Sequence, residues 1–111
     1  MTKKFDTLVF IGRLQPFHNG HEAVIKKALT MADKVVVVVG SSFAARNIRN
    51  PFTLEERATM IKYAMKNPNV LIKGISDFPY DDNKWKIAVR KAVKEATPDA
   101  KTIGLIGHSK D

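Results

Sequence analysis

Apolar residues follow two alternating rhythms along this chain. Short unbroken runs of aliphatic and β-branched residues are each followed by a longer stretch in which apolar positions recur every three or four residues. Residues 34–40 are the clearest run: five valines between Lys34 and Gly40. A strand that is apolar at every position, not at alternate ones, is one buried on both faces of a parallel sheet. Residues 7–12 (Thr-Leu-Val-Phe-Ile-Gly) read as a similar strand closed by a glycine. Residues 70–75 form a weaker third strand. Residues 102–107 form a fourth, again closed by glycine.

The intervening stretches have helical spacing. Within residues 20–32, His21, Val24, Ile25, Ala28, Leu29 and Ala32 share one face. A second helix is predicted to open on a capping box, with Thr53 at the N-cap and Glu56 three residues on. Leu54, Ala58, Ile61 and Met65 make its stripe, and Asn67-Pro68 stops it. A third is predicted from about residue 83 to residue 96. Trp85, Ala88, Val89, Ala92, Val93 and Ala96 lie on its apolar face, and Lys84, Lys86, Arg90, Lys91 and Lys94 mostly on the other. Thr97-Pro98 ends it.

The order β-α-β-α-β-α-β implies right-handed crossovers and a parallel sheet of at least four strands flanked by helices. The chain is an α/β protein, and its 111 residues are enough for one small domain. It stops after a strand with no helix to cover it, as expected of a C-terminally truncated fragment whose uncovered strand takes a partner or forms a homo-oligomer edge.

Composition narrows the class. Lys and Arg outnumber Asp and Glu by 19 to 11, for a net charge of +8. That surplus suits anionic partners such as nucleotides, and also a merely solubilising surface. There is no cysteine, hence no disulfide framework and no thiolate metal site. No apolar run reaches the roughly 20 residues of a membrane span, and the run at residues 8–11 is too short for a signal peptide. A cytoplasmic protein that does not contact membrane is expected.

In open parallel sheets, ligands bind beyond the carboxyl ends of the strands. Four segments leave those ends, and the unusual residues of this sequence concentrate in them. The first reads GRLQPFHNGH, residues 12–21. Gly12 lets the backbone pass close to a ligand, and Pro16 stiffens the turn. Gly20 leads into a helix whose first amides and dipole favour an anion. His18 and His21 are three apart at that entrance, and Arg13 adds a permanent fork of donors. Together they make a phosphate cradle without a Walker lysine. His21 also continues the apolar stripe, which is the plainer reading of that residue alone. The two histidines have no nearby third ligand, so no metal held by protein side chains is expected.

The same stretch contains H-x-G-H. It resembles the nucleotidyltransferase α/β-phosphodiesterase superfamily, whose fold is Rossmann-like. Its longer form, G-R-x-Q-P-x-H-x-G-H, resembles the nicotinamide mononucleotide (NMN) adenylyltransferases of the archaeal type. The nearest likeness is to the N-terminal domain of bifunctional adenylyltransferase–Nudix hydrolase proteins. GSS (40–42), IRNPFTLEER (48–57), DFPYDDNKW (77–85) and GHSKD (107–111) extend the likeness over nearly the whole chain. The family carries a further I-S-x-T-x-x-R-type motif, which lies beyond residue 111. Residues 1–111 are thus expected to be an adenylyltransferase domain without that phosphate-binding motif. The resemblance allows a fused Nudix domain in the natural protein and does not require one.

The resemblance implies transfer of AMP from ATP to NMN, giving NAD and pyrophosphate in NAD biosynthesis, with Mg²⁺ accompanying ATP. His18, His21 and Arg13 would bind the reacting phosphates. Gly12, Gln15, Gly20, Gly107 and His108 would contact ATP. Ser41, Arg49, Phe52, Asp77, Asp81, Asn83 and Trp85 would line the mononucleotide site. Trp85 has two readings, the first knob of the third helix and a ring stacked on the pyridinium, and a residue at a helix start can do both. Arg57 reads more plainly as an exposed or ion-paired helix residue. Two alternatives stand beside this one. One is another H-x-G-H adenylyl- or cytidylyltransferase, such as pantetheine-phosphate adenylyltransferase. The other is a non-catalytic nucleotide- or nucleic-acid-binding domain using the basic helix face. That face has no interleaved aromatics, so nucleic acid is not the expected partner.

Overall fold

The computed structural model describes residues 4–12, 19–40, 53–75 and 82–106. Its elements run β1 (Phe5–Gly12), α1 (Asn19–Leu29), β2 (Ala32–Val39), α2 (Leu54–Met65), β3 (Val70–Gly74), α3 (Asp82–Ala96) and β4 (Ile103–Leu105). The four strands form one sheet in the order β3-β2-β1-β4. All pairings are parallel, with Phe10 opposite Val37 and Val37 opposite Ile72.

Val35 to Val39 are fully buried. Val35, Val37 and Val39 face one side, where they pack with Leu8, Phe10, Ile25, Ala28 and Ile61. Val36 and Val38 face the other, with Val9, Ile75, Ala92 and Val93. The unbroken valine run is therefore the middle of a three-layer sandwich, with α1 and α2 on one face and α3 on the other. Handedness accounts for the split. The first two crossovers step from β1 to β2 to β3, and the third steps back past β1 to β4. A right-handed connection reversing its direction must lie on the opposite face.

The elements match the periodicity closely, with two departures. Ala32 is the first residue of β2 and not the last of α1's stripe. Thr30 N–H and Met31 N–H donate to the Lys27 and Ala28 carbonyls, and the Thr30 hydroxyl also caps Lys27 at 2.6 Å. These bonds end the helix and free Ala32 to pair opposite Phe5. The fourth strand is only three residues long. α3 packs chiefly over β2 and β3, leaving Ile103 50% and Leu105 74% exposed. On the covered face, Gly104 lies so close to β1 that a Cβ there would sit 2.9 Å from Phe5 and 3.0 Å from Leu8.

Candidate active site

The carboxyl ends of β1 and β2 are joined at two glycines: Gly40 N–H donates to the Gly12 carbonyl at 2.9 Å. β1 is the strand at which the chain's direction across the sheet reverses, since β2 lies on one side and β4 on the other. β1 therefore ends at the switch point, where open α/β sheets form their crevice. On the β4 side, Ile106 N–H donates to the Val9 carbonyl.

α1 returns from that crevice with His21 in its first turn. The imidazole is 3% exposed. Its ring is tilted 51° to that of Phe10, with centroids 6.0 Å apart. With Ile25 and Ala28 it begins the buried stripe of the helix. His21 is thus wedged between α1 and the end of β1 and is not an open surface group. Gly20, one residue earlier, is exposed.

α2 begins as predicted. The Glu56 amide donates to Thr53 Oγ1 at 3.1 Å, and the Thr53 amide to Glu56 Oε1 at 2.9 Å. Arg57, expected to be exposed or ion-paired, is instead 1% exposed and is the largest fully buried side chain described. Its Nη1 donates to the Gly40 carbonyl at 2.7 Å, and its Nε to the Thr53 carbonyl at 3.2 Å. The signal was present in the spacing: residue 57 falls between Leu54 and Ile61 on the inward face. The usual surface preference of arginine hid it.

In α3, Asn83 is exposed and Trp85 is half-buried. Trp85 packs against the cluster of Val9, Val36, Val38 and Ile75, so the helix-knob role is seen directly. The other predicted site residues, Arg13, Gln15, His18, Ser41, Arg49, Phe52, Asp77, Asp81, Gly107 and His108, lie outside the described residues.

The cytidylyltransferase-like family model matches residues 9–108. The chain belongs to the cytidylyltransferase-like family. Among its relatives is the nicotinamide/nicotinic acid mononucleotide adenylyltransferase of Acinetobacter baylyi, 42% identical over 97% of this chain and 58% of that protein. The nicotinamide-nucleotide adenylyltransferase of Sulfurisphaera tokodaii is 47% identical over 68% of this chain and 44% of its own length. A crystal structure of a bifunctional NMN adenylyltransferase/ADP-ribose pyrophosphatase from Francisella tularensis, complexed with AMP and a manganese ion, superposes with a TM-score of 0.85. It is 37% identical and covers 91% of this chain and 31% of that one. The chain spans about half the length of the curated relatives it matches. Within the cytidylyltransferase-like family, the four-strand parallel sheet with helices on both faces is the Rossmann-like nucleotidyltransferase fold expected from the sequence.

Proposed function

We propose that this chain is the adenylyltransferase domain of an enzyme that transfers AMP from ATP to nicotinamide mononucleotide, releasing pyrophosphate. One observation carries the reading: the G-R-x-Q-P-x-H-x-G-H stretch leaves β1 at the switch point of the sheet. The names of the relatives support the same chemistry.

An oxygen of the mononucleotide 5′-phosphate attacks the α-phosphorus of ATP in line. The bond from that phosphorus to the bridging oxygen breaks, and pyrophosphate leaves. The phosphate monoester is already a nucleophile at neutral pH, so the protein need not supply a base. Its contribution is positioning and charge stabilisation. His18, His21 and Arg13 would neutralise charge on the transferring and departing phosphates, with Gln15 helping to place ATP. The backbone at Gly12 and Gly20 would leave room for the triphosphate, and Gly107 and His108 would border adenine and ribose. Arg49 would pair with the acceptor phosphate, with Ser41 and Phe52 beside it. Trp85 would stack the exposed part of its ring on the pyridinium, worth about 1 kcal/mol of cation–π energy, with Asp77, Asp81 and Asn83 near its carboxamide or ribose.

Among the described residues no three His, Asp, Glu or Cys side chains gather as a metal cage. Under this reading Mg²⁺ would be held mainly by phosphate oxygens, where it would offset their charge. Under the same reading the reaction takes place in the cytoplasm, and a fused hydrolase domain fits it.

The test is dinucleotide formation from ATP, Mg²⁺ and either NMN or nicotinic acid mononucleotide, using this chain beside His18→Ala. Product from the wild type, lost in the variant, is the expected outcome. No product from the folded chain with either acceptor, when the chain extended past residue 111 is also inactive, would overturn the reading.

A further inference from the structure

Among the described residues the Arg57 guanidinium donates to two main-chain carbonyls, and their positions in the sequence give it a role. The Gly40 carbonyl immediately precedes residues 41–52, and the Thr53 carbonyl immediately follows them. One buried guanidinium donates to both, at 2.7 Å and 3.2 Å. We propose that Arg57 is a positioning residue that staples the two ends of segment 41–52 and so sets the affinity for the mononucleotide acceptor. This rests on the reading above, in which Ser41, Arg49 and Phe52 serve the acceptor.

The side chain suits the task. A guanidinium presents donors along two edges of a rigid plane and stays charged when buried. It can therefore hold two carbonyls in fixed relation, where a lysine ammonium is a single point. Closing a segment of this length costs chain entropy, and fixing its ends lowers the cost of ordering it around a ligand. The capping box works beside the staple. Thr53 uses its hydroxyl and its amide on Glu56, and its carbonyl accepts from both the Arg57 amide and Arg57 Nε. On the β2 side, Gly40 donates to Gly12 and accepts from Arg57. The staple is thus anchored in β1, β2 and α2 together.

The experiment compares wild type with Arg57→Lys, Arg57→Met and Ile61→Val. Ile61 is buried one turn further along α2 and serves as the control for lost core packing. Dinucleotide formation is measured against each substrate, and amide hydrogen exchange across the chain. Loss of one charge-assisted bond corresponds to about a tenfold effect. In both Arg57 variants the acceptor KM rises about tenfold or more, with the ATP KM and kcat little changed. Exchange quickens over residues 41–52 and not over β2 or α1. The control shows neither effect. If both KM values move together, or exchange rises uniformly as in the control, Arg57 is a core residue and the proposal falls. Arg57→Lys keeps the buried stem and the charge, so it serves if Arg57→Met does not fold. If neither this chain nor the chain extended past residue 111 makes dinucleotide, the proposed reaction fails, and the exchange pattern alone decides whether the staple exists.

Discussion

At the amino end of the sheet the chain turns back in short, tightly bonded connections. At the carboxyl end the segments that follow the strands carry between them Arg13, His18, Arg46, Arg49, Asp77, Asp81 and His108. Thr30 and Met31 join α1 to β2 through bonds to the Lys27 and Ala28 carbonyls. Residues 66–69 join α2 to β3: Lys66 N–H donates to Lys62, Asn69 N–H to Asn67 Oδ1, and Val70 N–H to the Asn67 carbonyl. Residues 97–102 lead into β4, with the Thr97 hydroxyl bonded to Val93 and the Lys101 and Thr102 amides bonded to Asp6. These turns spend their polar groups on one another. At the opposite end, the buried polar side chains His21 and Arg57 occupy the roots of segments 13–18 and 41–52. The contrast teaches that one end of the sheet is built for stability, which leaves the other free to carry chemistry on a rigid base.

The sharpest way to break that comparison is His21→Ala. Under the proposed reaction, removing a donor to the reacting phosphates lowers turnover by about 100-fold or more. Removing the ring from Phe10 lowers stability by only about 1–2 kcal/mol. Steady-state rates and urea unfolding on the same preparations check both. Unchanged turnover with lowered stability would make His21 an ordinary core residue, and the carboxyl end would lose its distinction.

His21 also marks how far the sequence could be read. Its two readings, first residue of an apolar stripe and member of a phosphate cradle, need not compete. Burial at the head of α1 satisfies the first and leaves it at the switch point for the second. The five valines of β2, the Thr53–Glu56 box and the apolar face of α3 were legible because each is a local pattern with one physical solution. Ala32 was misplaced because the turn that ends α1 depends on the Thr30 hydroxyl and on pairing with Phe5, which helical spacing does not record. β4 came out shorter than its apolar run: among the described residues it pairs with β1 over three positions, Ile103 to Leu105. Arg57 was misread because a charged residue on an inward face is decided by its partners. Among the described residues those include the carbonyls of Gly40, distant in sequence, and Thr53.

A change at the amino end should move stability and leave turnover alone. Lys66 ends α2 in the left-handed conformation, with φ 47° and ψ 42°. A residue with a Cβ pays about 1 kcal/mol there, and glycine does not. Lys66→Gly also gives up the ammonium's place 5.0 Å over the exposed Tyr63 ring, a contact worth about 0.5 kcal/mol at the surface. The net expectation is a gain of about 0.5 kcal/mol in urea unfolding with unchanged steady-state rates. A change in turnover would mean that the two ends are coupled and the division of labour is wrong.

The smallest effect concerns Asp6, which ties β1 to the start of β4. Its Oδ2 accepts from Lys101 N–H at 2.7 Å and Thr102 N–H at 3.2 Å. Its own amide donates to Thr102 Oγ1 at 2.8 Å. Those two amides, the Lys101 one first, hold the carboxyl below its ordinary value of 3.8, helped by the Lys101 ammonium and opposed by partial desolvation. A carboxyl lowered in the folded state contributes stability that is present above its unfolded value and is lost as pH falls through the folded one. Asp6→Asn keeps an acceptor oxygen and removes the charge. The stability difference between wild type and variant should therefore be largest at neutral pH and shrink as pH falls below 3.8. Turnover at neutral pH should be the same in both. Urea unfolding at a series of pH values reads the difference directly. A difference that stays constant down to pH 2 would show that the carboxylate's charge does nothing for the β1–β4 junction, and that the hydrogen-bond geometry alone holds this edge.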